Sequence, residues 1–300
     1  MIYTMTLNPA LDYVMHPLTL DMGFTNRSSS EELYCGGNGI NISTLLKELD
    51  VPSIAMGIAG GFTGDYLLTE LQDKGIASNF VRLDRGNTRI NIKLNGIVMT
   101  MVNGMGPKIP EKKVDELLER MDVVRAGDTL VLTGSIPNSL PEDIYTQIMG
   151  KLAGRGIQFV VDAPGQLLME SLKAHPFLIK PNNHELGEIV GKVLTSDAEI
   201  VAAARTLQEK GARNVLVSMA GDGALLLDEQ GQVHRIGCPK GKVVNSVGAG
   251  DSMVAGFVAG YLQSRSYAQA LRLGTACGSA TAFSLGLATK EKIDELLAQL

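Results

Sequence analysis

The chain has 300 residues, of which 45% are hydrophobic, and its formal net charge at pH 7 is −5. This length suits one large α/β domain with a sizeable core. Because the net charge is negative and no long basic run occurs, nucleic acid and anionic membranes are not expected partners.

The N-terminal stretch MIYTMTLNPALD lacks the basic region that opens a signal peptide, and no apolar run reaches the length of a membrane span. The three cysteines, Cys35, Cys238 and Cys277, are far apart and odd in number. They form neither a disulfide framework nor a CxxC motif, which favours a reducing compartment. We therefore expect a cytoplasmic protein.

Strand-like apolar runs alternate with segments of helical spacing along most of the chain. Strands are predicted at residues 2–7, 54–59, 129–132, 159–162, 177–180 and 215–219. Helices are predicted at residues 42–49, 66–71, 114–121, 144–152, 201–207 and 268–277. This alternation predicts a mainly parallel sheet with helices on both faces, built as a single domain over residues 1–300.

Two segments interrupt the alternation. Residues 12–34 have no clear helical pattern, and residues 88–102, TRINIKLNGIVMTMV, read as a hairpin that turns at Asn95 and Gly96. Extra antiparallel strands inserted into an α/β chain are typical of a lid. We therefore expect lid segments at about 12–34 and 88–102.

The loops that follow the predicted strands are candidate ligand sites, because open α/β sheets bind ligands at the carboxyl ends of their strands. These loops begin at Asn8, Gly36, Gly134, Lys180 and Ser218. The common phosphate-binding patterns are missing from the sequence. Neither GxGxxG nor a P-loop with its Ser or Thr can be written anywhere, which argues against dinucleotide oxidoreductases and Walker-type ATPases.

The stretch VNSVGAGDSMVAGF, residues 244–257, combines small residues with a carboxylate where a helix is predicted to begin. A helix N-terminus has unpaired N–H groups and a partial positive charge, and small residues let an anion approach them. Asp251 then either caps the helix or takes a proton from a hydroxyl that attacks a bound phosphoryl group.

Further motifs occur in order along the chain, namely TLNPALD, GGNGIN, TRIN, GSIP, FLIKPNNHE and SMAGDGAL. With NSVGAGDSMVAGF they resemble the ribokinase-like (PfkB-type) carbohydrate kinases over essentially the full chain. The resemblance is strongest to the branch that contains 1-phosphofructokinase and tagatose-6-phosphate kinase. It implies an α/β fold with a three-layer α/β/α Rossmann-like core and a small β-sheet lid.

The resemblance also implies the catalytic groups. Asp251 is expected to be the base, and the N–H groups of Gly248, Ala249 and Gly250 are expected to form an anion hole for the transferred γ-phosphate. Phosphoryl transfer depends mainly on positioning and electrostatic stabilisation, which such a hole supplies. The implied co-substrate is ATP with Mg²⁺, and activation by a monovalent cation is a further expectation.

At the sugar end, the resemblance assigns a hydroxyl-binding carboxylate to Asp12 and a phosphate-binding guanidinium to Arg89. Arg27 and Lys93 are further lid candidates. The sugar-contact loop comprises Gly36, Gly37, Asn38, Gly39 and Asn41. Its pattern departs from the GGKG of the sugar-phosphate branch, because Asn38 stands where lysine is typical.

At the nucleotide end, Asn182 and Glu185 match an NxxE motif that organises magnesium-bound water, with Glu185 acting indirectly through water. Without that context, NxxE reads as a helix start. The loop expected beside the phosphates and ribose comprises Ser218, Met219, Ala220, Gly221, Asp222 and Gly223, with Gly250 contacting the phosphates. Ser279 lies in the stretch expected to flank the adenine.

The resemblance thus predicts a kinase of a small sugar phosphate, with fructose 1-phosphate as the first choice and tagatose 6-phosphate next. Asn38 leaves room for an unphosphorylated sugar or a nucleoside. From a different class, a catalytically silent sugar-phosphate sensor would keep the fold but would need no base. Lids of this family often help to form dimers, so a homodimer through the lid is also expected.

Overall fold

The computed structural model describes residues 1–96 and 99–300. Its strands are β1 Ile2–Thr6, β2 Ala10–Pro17, β3 Ser28–Gly36, β4 Ser53–Gly60, β5 Ala77–Leu83, β6 Arg89–Asn95, β7 Met99–Asn103, β8 Thr129–Thr133, β9 Gln158–Asp162, β10 Leu178–Ile179, β11 Asn214–Ser218, β12 Ala224–Leu227 and β13 Val233–Ile236. Its α-helices are α1 Asn38–Glu48, α2 Gly61–Asp73, α3 Glu111–Arg120, α4 Ile144–Lys151, α5 Gly165–Ser171, α6 Asn183–Val190, α7 Asp197–Glu209, α8 Ala249–Ser264, α9 Tyr267–Ala282 and α10 Lys290–Leu297.

Within the described residues, nine strands form the large sheet in the order β13-β12-β11-β10-β9-β8-β1-β4-β5. The strands from β5 to β11 are parallel, and β12 and β13 extend the sheet antiparallel. The predicted α/β fold is confirmed, and the loops after the parallel strands meet at one edge of the sheet.

Helices cover both faces of this sheet. In β8, Leu130 and Leu132 belong to one buried cluster, with residues of α3 to α7, whereas Val131 belongs to the other, with residues of α1, α8, α9 and α10. This division follows from the alternation of side chains along a strand that is buried on both faces. Among the described helices, none is both long and apolar enough to cross a membrane.

The second sheet has the strand order β3-β2-β6-β7 and is formed by segments that interrupt the α/β alternation. The pair β6 and β7 is antiparallel, with Asn95 opposite Met99, whereas Ile97 and Val98 of the predicted hairpin lie outside the described residues. The expectation of antiparallel strands alone was wrong, because β2 and β6 pair in parallel. Several elements of the core separate these two strands along the chain, so the chain can re-enter the sheet in the same direction.

Candidate active site

Asp251 lies in the first turn of α8, at the edge where the parallel strands end. Its N-cap residue Gly248 has φ 80°, in the left-handed region that glycine adopts readily. The Asp251 side chain is 5% exposed, and its Oδ2 accepts a hydrogen bond of 2.8 Å from Nδ2 of Asn41. In the described part of the chain Oδ1 is buried without a hydrogen-bond partner. Such a buried, unpaired oxygen is costly, which is typical of a functional atom.

The pKa of Asp251 is raised to about 7, chiefly by burial and then by the negative charge of Asp162. The amides of Asn41 and Asn38 and the ammonium of Lys180 act in the opposite direction. A carboxyl group with this pKa can both accept and release a proton near neutral pH, as a general base must.

Lys180 is a buried cation that directly follows β10 and approaches the start of α8. Its Nζ lies 3.3 Å from Oδ1 of Asp162, and a Cβ on Gly250 would lie 3.2 Å from the same Nζ. Burial works to lower the pKa of Lys180, but the carboxylates of Asp162, Glu185 and Asp251 outweigh burial and raise it. The lysine is therefore charged and attracts anions to this helix end.

Sequence reasoning named the loop that begins at Lys180 but did not single out the lysine or Asp162. The available signal was their position, because each stands at the carboxyl end of a predicted parallel strand.

The predicted anion hole is only partly free in the structure. The N–H of Ala249 donates to the carbonyl of Ser246 at 3.2 Å, and that of Ser252 donates to the carbonyl of Gly248 at 2.9 Å. The N–H groups of Gly250 and Asp251 lie between these two and precede the first α-helical bond. Among the described residues, the N–H groups of Gly250 and Asp251 therefore have no backbone partner, whereas that of Ala249 is bonded to Ser246.

The predicted sugar-contact loop is largely the start of a helix. Gly36 ends β3, Gly37 is the N-cap residue, and Asn38, Gly39 and Asn41 belong to the first turn of α1. A Cβ on Gly39 would lie 2.6 Å from Oγ1 of Thr6, so this glycine is required for close packing of α1 against β1. The prediction that the whole of residues 36–41 is a loop was therefore wrong, because α1 begins four residues before the predicted helix start.

Asp12 projects from β2 onto the same face of the small sheet as two side chains of β6. Its Oδ1 accepts a hydrogen bond of 2.8 Å from Nδ2 of Asn91, and its Oδ2 lies 2.7 Å from Nζ of Lys93. Lys93 thus neutralises Asp12. In the described part of the chain, Oδ1 of Asn91 and Oδ1 of Asn8 are buried without a partner, so polar groups remain for a ligand at this end.

Arg89, the first residue of β6, is half-buried. Its Nε donates to the carbonyl of Asn8 at 3.2 Å, and its Nη1 donates to the carbonyl of Gly104 at 3.4 Å. Burial lowers the pKa of Arg89, while Asp12 raises it. Since a guanidinium has five N–H donors, several remain for an anion. Arg27 lies exposed between β2 and β3.

Asn38 lies near the base and the loop after β8. A Cβ on Gly134 would be 3.0 Å from Oδ1 of Asn38, and the Asn38 amide is among the groups that lower the pKa of Asp251. The residue at the position where the resemblance leads one to expect lysine therefore lies near Asp251.

The NxxE motif forms a capping box at the start of α6. Oδ1 of Asn182 accepts hydrogen bonds from the N–H groups of His184 at 2.9 Å and Glu185 at 2.8 Å. Oε2 of Glu185 in turn accepts from the N–H of Asn182 at 2.8 Å. The helix-start interpretation of NxxE is thus confirmed, and Oε1 of Glu185 is the oxygen left for other contacts.

The predicted nucleotide loop is a short turn after β11. Ser218 ends that strand and forms a bridge with Asn182. A single 3₁₀ turn spans Ala220–Asp222, where Gly221 is exposed, and the N–H of Met219 donates to the carbonyl of Gly223 at 2.9 Å. Ser279, in α9, is 8% exposed and lies 3.5 Å from Sγ of Cys238.

The oxygen donors at this edge fit a magnesium ion held largely by water. No group of three or more His, Cys, Asp or Glu side chains is arranged as a metal site in residues 1–96 and 99–300. Asp162 and Glu185 lie close enough to interact. Burial raises the pKa of Asp162 most, and the charge of Glu185 raises it further. Mg²⁺ usually keeps several waters and binds one or two carboxylates together with substrate phosphates, so this pair suffices.

Comparisons with known proteins show which family of enzymes the chain is similar to. The profile of the pfkB family carbohydrate kinases matches residues 5–293. The chain is 46% identical to 1-phosphofructokinase of Bacillus subtilis (strain 168), across 100% of this chain and 98% of that protein. It is 37% identical to D-tagatose-1-phosphate kinase of Bacillus licheniformis, across 100% and 98% of the two chains. The crystal structure of phosphofructokinase-2 from Escherichia coli in complex with fructose-6-phosphate superposes with a TM-score of 0.92 at 28% identity, across 99% and 98% of the two chains.

Proposed function

The chain belongs to the pfkB family of carbohydrate kinases. We propose that it transfers the γ-phosphate of ATP to a ketohexose 1-phosphate. Fructose 1-phosphate is the first choice, because the relative at 46% identity is a 1-phosphofructokinase. The acceptor is then the hydroxymethyl group at carbon 6, and the products are fructose 1,6-bisphosphate and ADP.

The observation that carries this proposal is Oδ1 of Asp251, which has no hydrogen-bond partner among residues 1–96 and 99–300 and is buried beside the start of a helix and the Lys180 ammonium. The acceptor hydroxyl gives its proton to Oδ1 while its oxygen bonds to the γ-phosphorus. The bond between that phosphorus and the bridging oxygen breaks, and ADP leaves. A neutral acceptor thus becomes a nucleophile only as it reacts.

Lys180 and the start of α8 stabilise the charge of the transferring group. The ammonium lies against Gly250, and the N–H groups of Gly250 and Asp251 point from the same helix end. In a buried site these charges act more strongly than in water and need little reorganisation during the reaction. The loop from Ser218 to Gly223 and Ser279 then contact the nucleotide.

When Mg²⁺ is bound with ATP, it neutralises phosphate charge. Asp162 and Glu185 are the residues that would hold it, through water. Glu185 also keeps its place in the capping box through Oε2, which fixes the carboxylate on α6.

At the other end, Asp12 and Asn91 bind sugar hydroxyls, and Arg89 binds the phosphate that the substrate already has. Arg89 suits this role because it keeps its charge at any working pH and can form two parallel hydrogen bonds to a phosphate. The small sheet that bears these residues is proposed to act as a lid that excludes water.

A second candidate substrate is D-tagatose 1-phosphate, which the relative at 37% identity favours. Fructose 1-phosphate and tagatose 1-phosphate differ only in configuration at carbon 4, so both have the phosphate at carbon 1 and the acceptor hydroxyl at carbon 6. Tagatose 6-phosphate, an unphosphorylated sugar or a nucleoside would require a different acceptor end.

The test is a coupled assay of ADP release over fructose 1-phosphate, tagatose 1-phosphate, fructose 6-phosphate, tagatose 6-phosphate, fructose and adenosine. We expect the highest kcat/KM with a ketohexose 1-phosphate. Asp251→Asn should lower kcat by about 10²–10⁴ while leaving ATP affinity unchanged. Turnover of an unphosphorylated acceptor alone would contradict the proposal, and tight binding of a sugar phosphate without ADP release would identify a sensor.

We also propose that a second copy of the chain covers the outer face of the small sheet. Leu33, Tyr13, Ile92 and Val102 are neighbours in one row across β3, β2, β6 and β7. Leu33, Ile92 and Val102 are among the exposed large apolar residues, whereas Asp12 and Asn91 occupy the opposite face. An uncovered apolar face on a soluble enzyme is typical of a protein–protein contact.

A further inference from the structure

The first turns of α1 and α8 face each other across the candidate site. Nδ2 of Asn41 donates to Oδ2 of Asp251 at 2.8 Å, and a Cβ on Gly248 would lie 3.6 Å from the same Nδ2. Asn41 is partly exposed, whereas the Asp251 carboxyl is buried. The contact therefore reaches from the rim of the cleft to the reacting group, and it joins residues 210 positions apart in the chain.

We propose that Asn41 is a positioning residue for Asp251, holding Oδ2 so that Oδ1 alone is presented to the acceptor hydroxyl. This inference rests on the proposed function, in which Asp251 is the base. It assigns Asn41 a role through another residue, in addition to any contact with the sugar.

Asp251 needs a positioning residue because an unrestrained carboxyl group can rotate about its terminal bond. The terminal torsion of Asp is broad and nearly two-fold, so an unrestrained group would exchange its two oxygens and sample unproductive angles. One hydrogen bond to one oxygen removes that exchange. A neutral amide suits this task because a cation would also stabilise the ionised form strongly and weaken the base.

Asn38 adds a second carboxamide, three residues earlier on the same face of α1. It contacts Gly134 and also lowers the pKa of Asp251. The first turn of α1 therefore offers only neutral donors to the base, where a typical relative of the sugar-phosphate branch would place a lysine.

The other charged groups around Asp251 stay constant when Asn41 is changed. Asp162 at the end of β9 raises the pKa of Asp251 after burial, and Lys180 after β10 lowers it. Glu185 on α6 acts on Asp162 and Lys180. A change in the titration of Asp251 on substitution of Asn41 can thus be attributed to the lost amide.

The test compares Asn41→Leu, similar in size but without a donor, with Thr44→Val as a matched control. Thr44 lies one turn further along α1, where its hydroxyl donates to the carbonyl of Ile40 at 2.9 Å and not to Asp251. The carboxyl ¹³C signal of Asp251, identified by its loss in Asp251→Asn, is titrated in the ligand-free protein. We expect Asn41→Leu to move its midpoint upward by about one pH unit, and Thr44→Val to leave it in place.

The pH dependence of kcat should shift in the same direction as the ¹³C titration. In Asn41→Leu the acidic limb of the kcat profile is expected to move to higher pH, so that activity is lost most at pH 6 to 7 and partly recovered above pH 8. Asn41→Gln, which keeps an amide, should restore part of the loss. Should Asn41→Leu fail to fold, Asn41→Ala, which also lacks a donor, serves in its place, with the same displacement expected.

An unchanged ¹³C titration and an unchanged acidic limb, with only a higher KM for the sugar, would overturn the inference and leave Asn41 as a sugar contact. Failure of the proposed function looks different. In that case the wild-type protein turns over none of the acceptors, while the ¹³C titration still reports on the contact between Asn41 and Asp251.

Discussion

Burial raises the pKa of Asp251 to about 7, whereas an Asp in an unfolded chain ionises near pH 4. Between these values the folded protein binds a proton that the unfolded chain has released. The stabilisation from this group is therefore complete below about pH 4 and is lost as the pH rises through about 7. At pH 8 the folded enzyme holds a buried carboxylate whose Oδ1 has no partner in the described part of the chain, so the group opposes folding.

Asp251→Asn should for this reason be more stable than the wild-type protein at pH 8 and should lose this advantage at pH 4. The gain in the free energy of unfolding is on the order of 4 kcal/mol at pH 8, relative to pH 4. Urea unfolding at both pH values measures it, with Asp115→Asn, an exposed site on α3, as the control. Equal stability differences at the two pH values would show that Asp251 is not held protonated by burial.

A second prediction concerns Arg89 and its proposed contact with the phosphate of the sugar substrate. Arg89→Ala removes a charged contact to the substrate's own phosphate, so KM for the ketohexose 1-phosphate should rise roughly tenfold to hundredfold. KM for ATP should stay constant, because the residues proposed to contact the nucleotide, Ser218 to Gly223 and Ser279, belong to other elements than β6. Steady-state kinetics of this variant and of Arg85→Ala, an exposed arginine just before β6, provide the comparison. A similar rise with unphosphorylated fructose would place Arg89 away from the phosphate.

At the scale of elements, two helices of this chain begin with the same capping box, and only one lies at the candidate site. In α6 the box is formed by Asn182 and Glu185, and in α7 by Ser196 and Glu199. Each cap supplies acceptors to N–H groups that the helix leaves unpaired, which is worth about 1 kcal/mol. A comparison of the capping boxes of α6 and α7 therefore separates the structural role of NxxE from its proposed role with magnesium.

Asn182→Ala and Ser196→Ala should each lower the free energy of unfolding by about 1 kcal/mol. Glu185→Gln keeps an oxygen for the N–H of Asn182, so stability should change little. Of these variants, we expect Glu185→Gln to raise the Mg²⁺ concentration for half-maximal activity most, and Ser196→Ala to leave it unchanged. If Glu185→Gln leaves the Mg²⁺ concentration for half-maximal activity unchanged, the NxxE motif serves only as a helix cap.

The elements that could be predicted are those whose pattern is local. Every predicted strand overlaps a strand of the large sheet, because these strands are buried on both faces and read as continuous apolar runs. The strand β5, with the sequence ASNFVRL, begins with polar residues at the sheet edge, and β13 alternates exposed and half-buried positions. Neither has an apolar run, so both were missed. The strand β12, with the sequence ALLL, is buried and apolar but only four residues long, and it was missed because it was read as part of the motif SMAGDGAL.

In the candidate site, too, features that are contiguous in the sequence could be predicted, whereas contacts between separate elements could not. The position of Asp251 at the start of a helix could be predicted because the helix start, its small residues and the family motif are contiguous. The ion pair of Lys180 with Asp162, the bond from Asn41 to Asp251 and the neutralisation of Asp12 by Lys93 join residues from distant parts of the chain. Such contacts depend on the strand order, which no local pattern specifies.

In the whole molecule, the small sheet presents different residues on its two faces. Asp12, Asn91 and Lys93 lie on one face, where Asp12 contacts both of the others. On the outer face, Ile92 is 40% exposed and Val102 is 59% exposed. The apolar row of Leu33, Tyr13, Ile92 and Val102 on the outer face supports the proposed contact with a second copy. The face of Asp12 also exposes apolar side chains, namely Tyr34, Met99 and Met101.

We therefore expect twice the chain mass of 32.0 kDa in solution, measured by sedimentation equilibrium. Ile92→Glu places a charge in the middle of the apolar row, and Val102→Lys places one at its edge. Either variant should shift the mass toward that of the monomer, because burial of an unpaired charge at an interface is costly. The control is Val193→Glu, at an apolar residue that is 86% exposed outside the small sheet. A dimer that survives both lid substitutions but is disrupted by Val193→Glu would mean that the second copy binds elsewhere, and that the outer face of the lid is free to move alone.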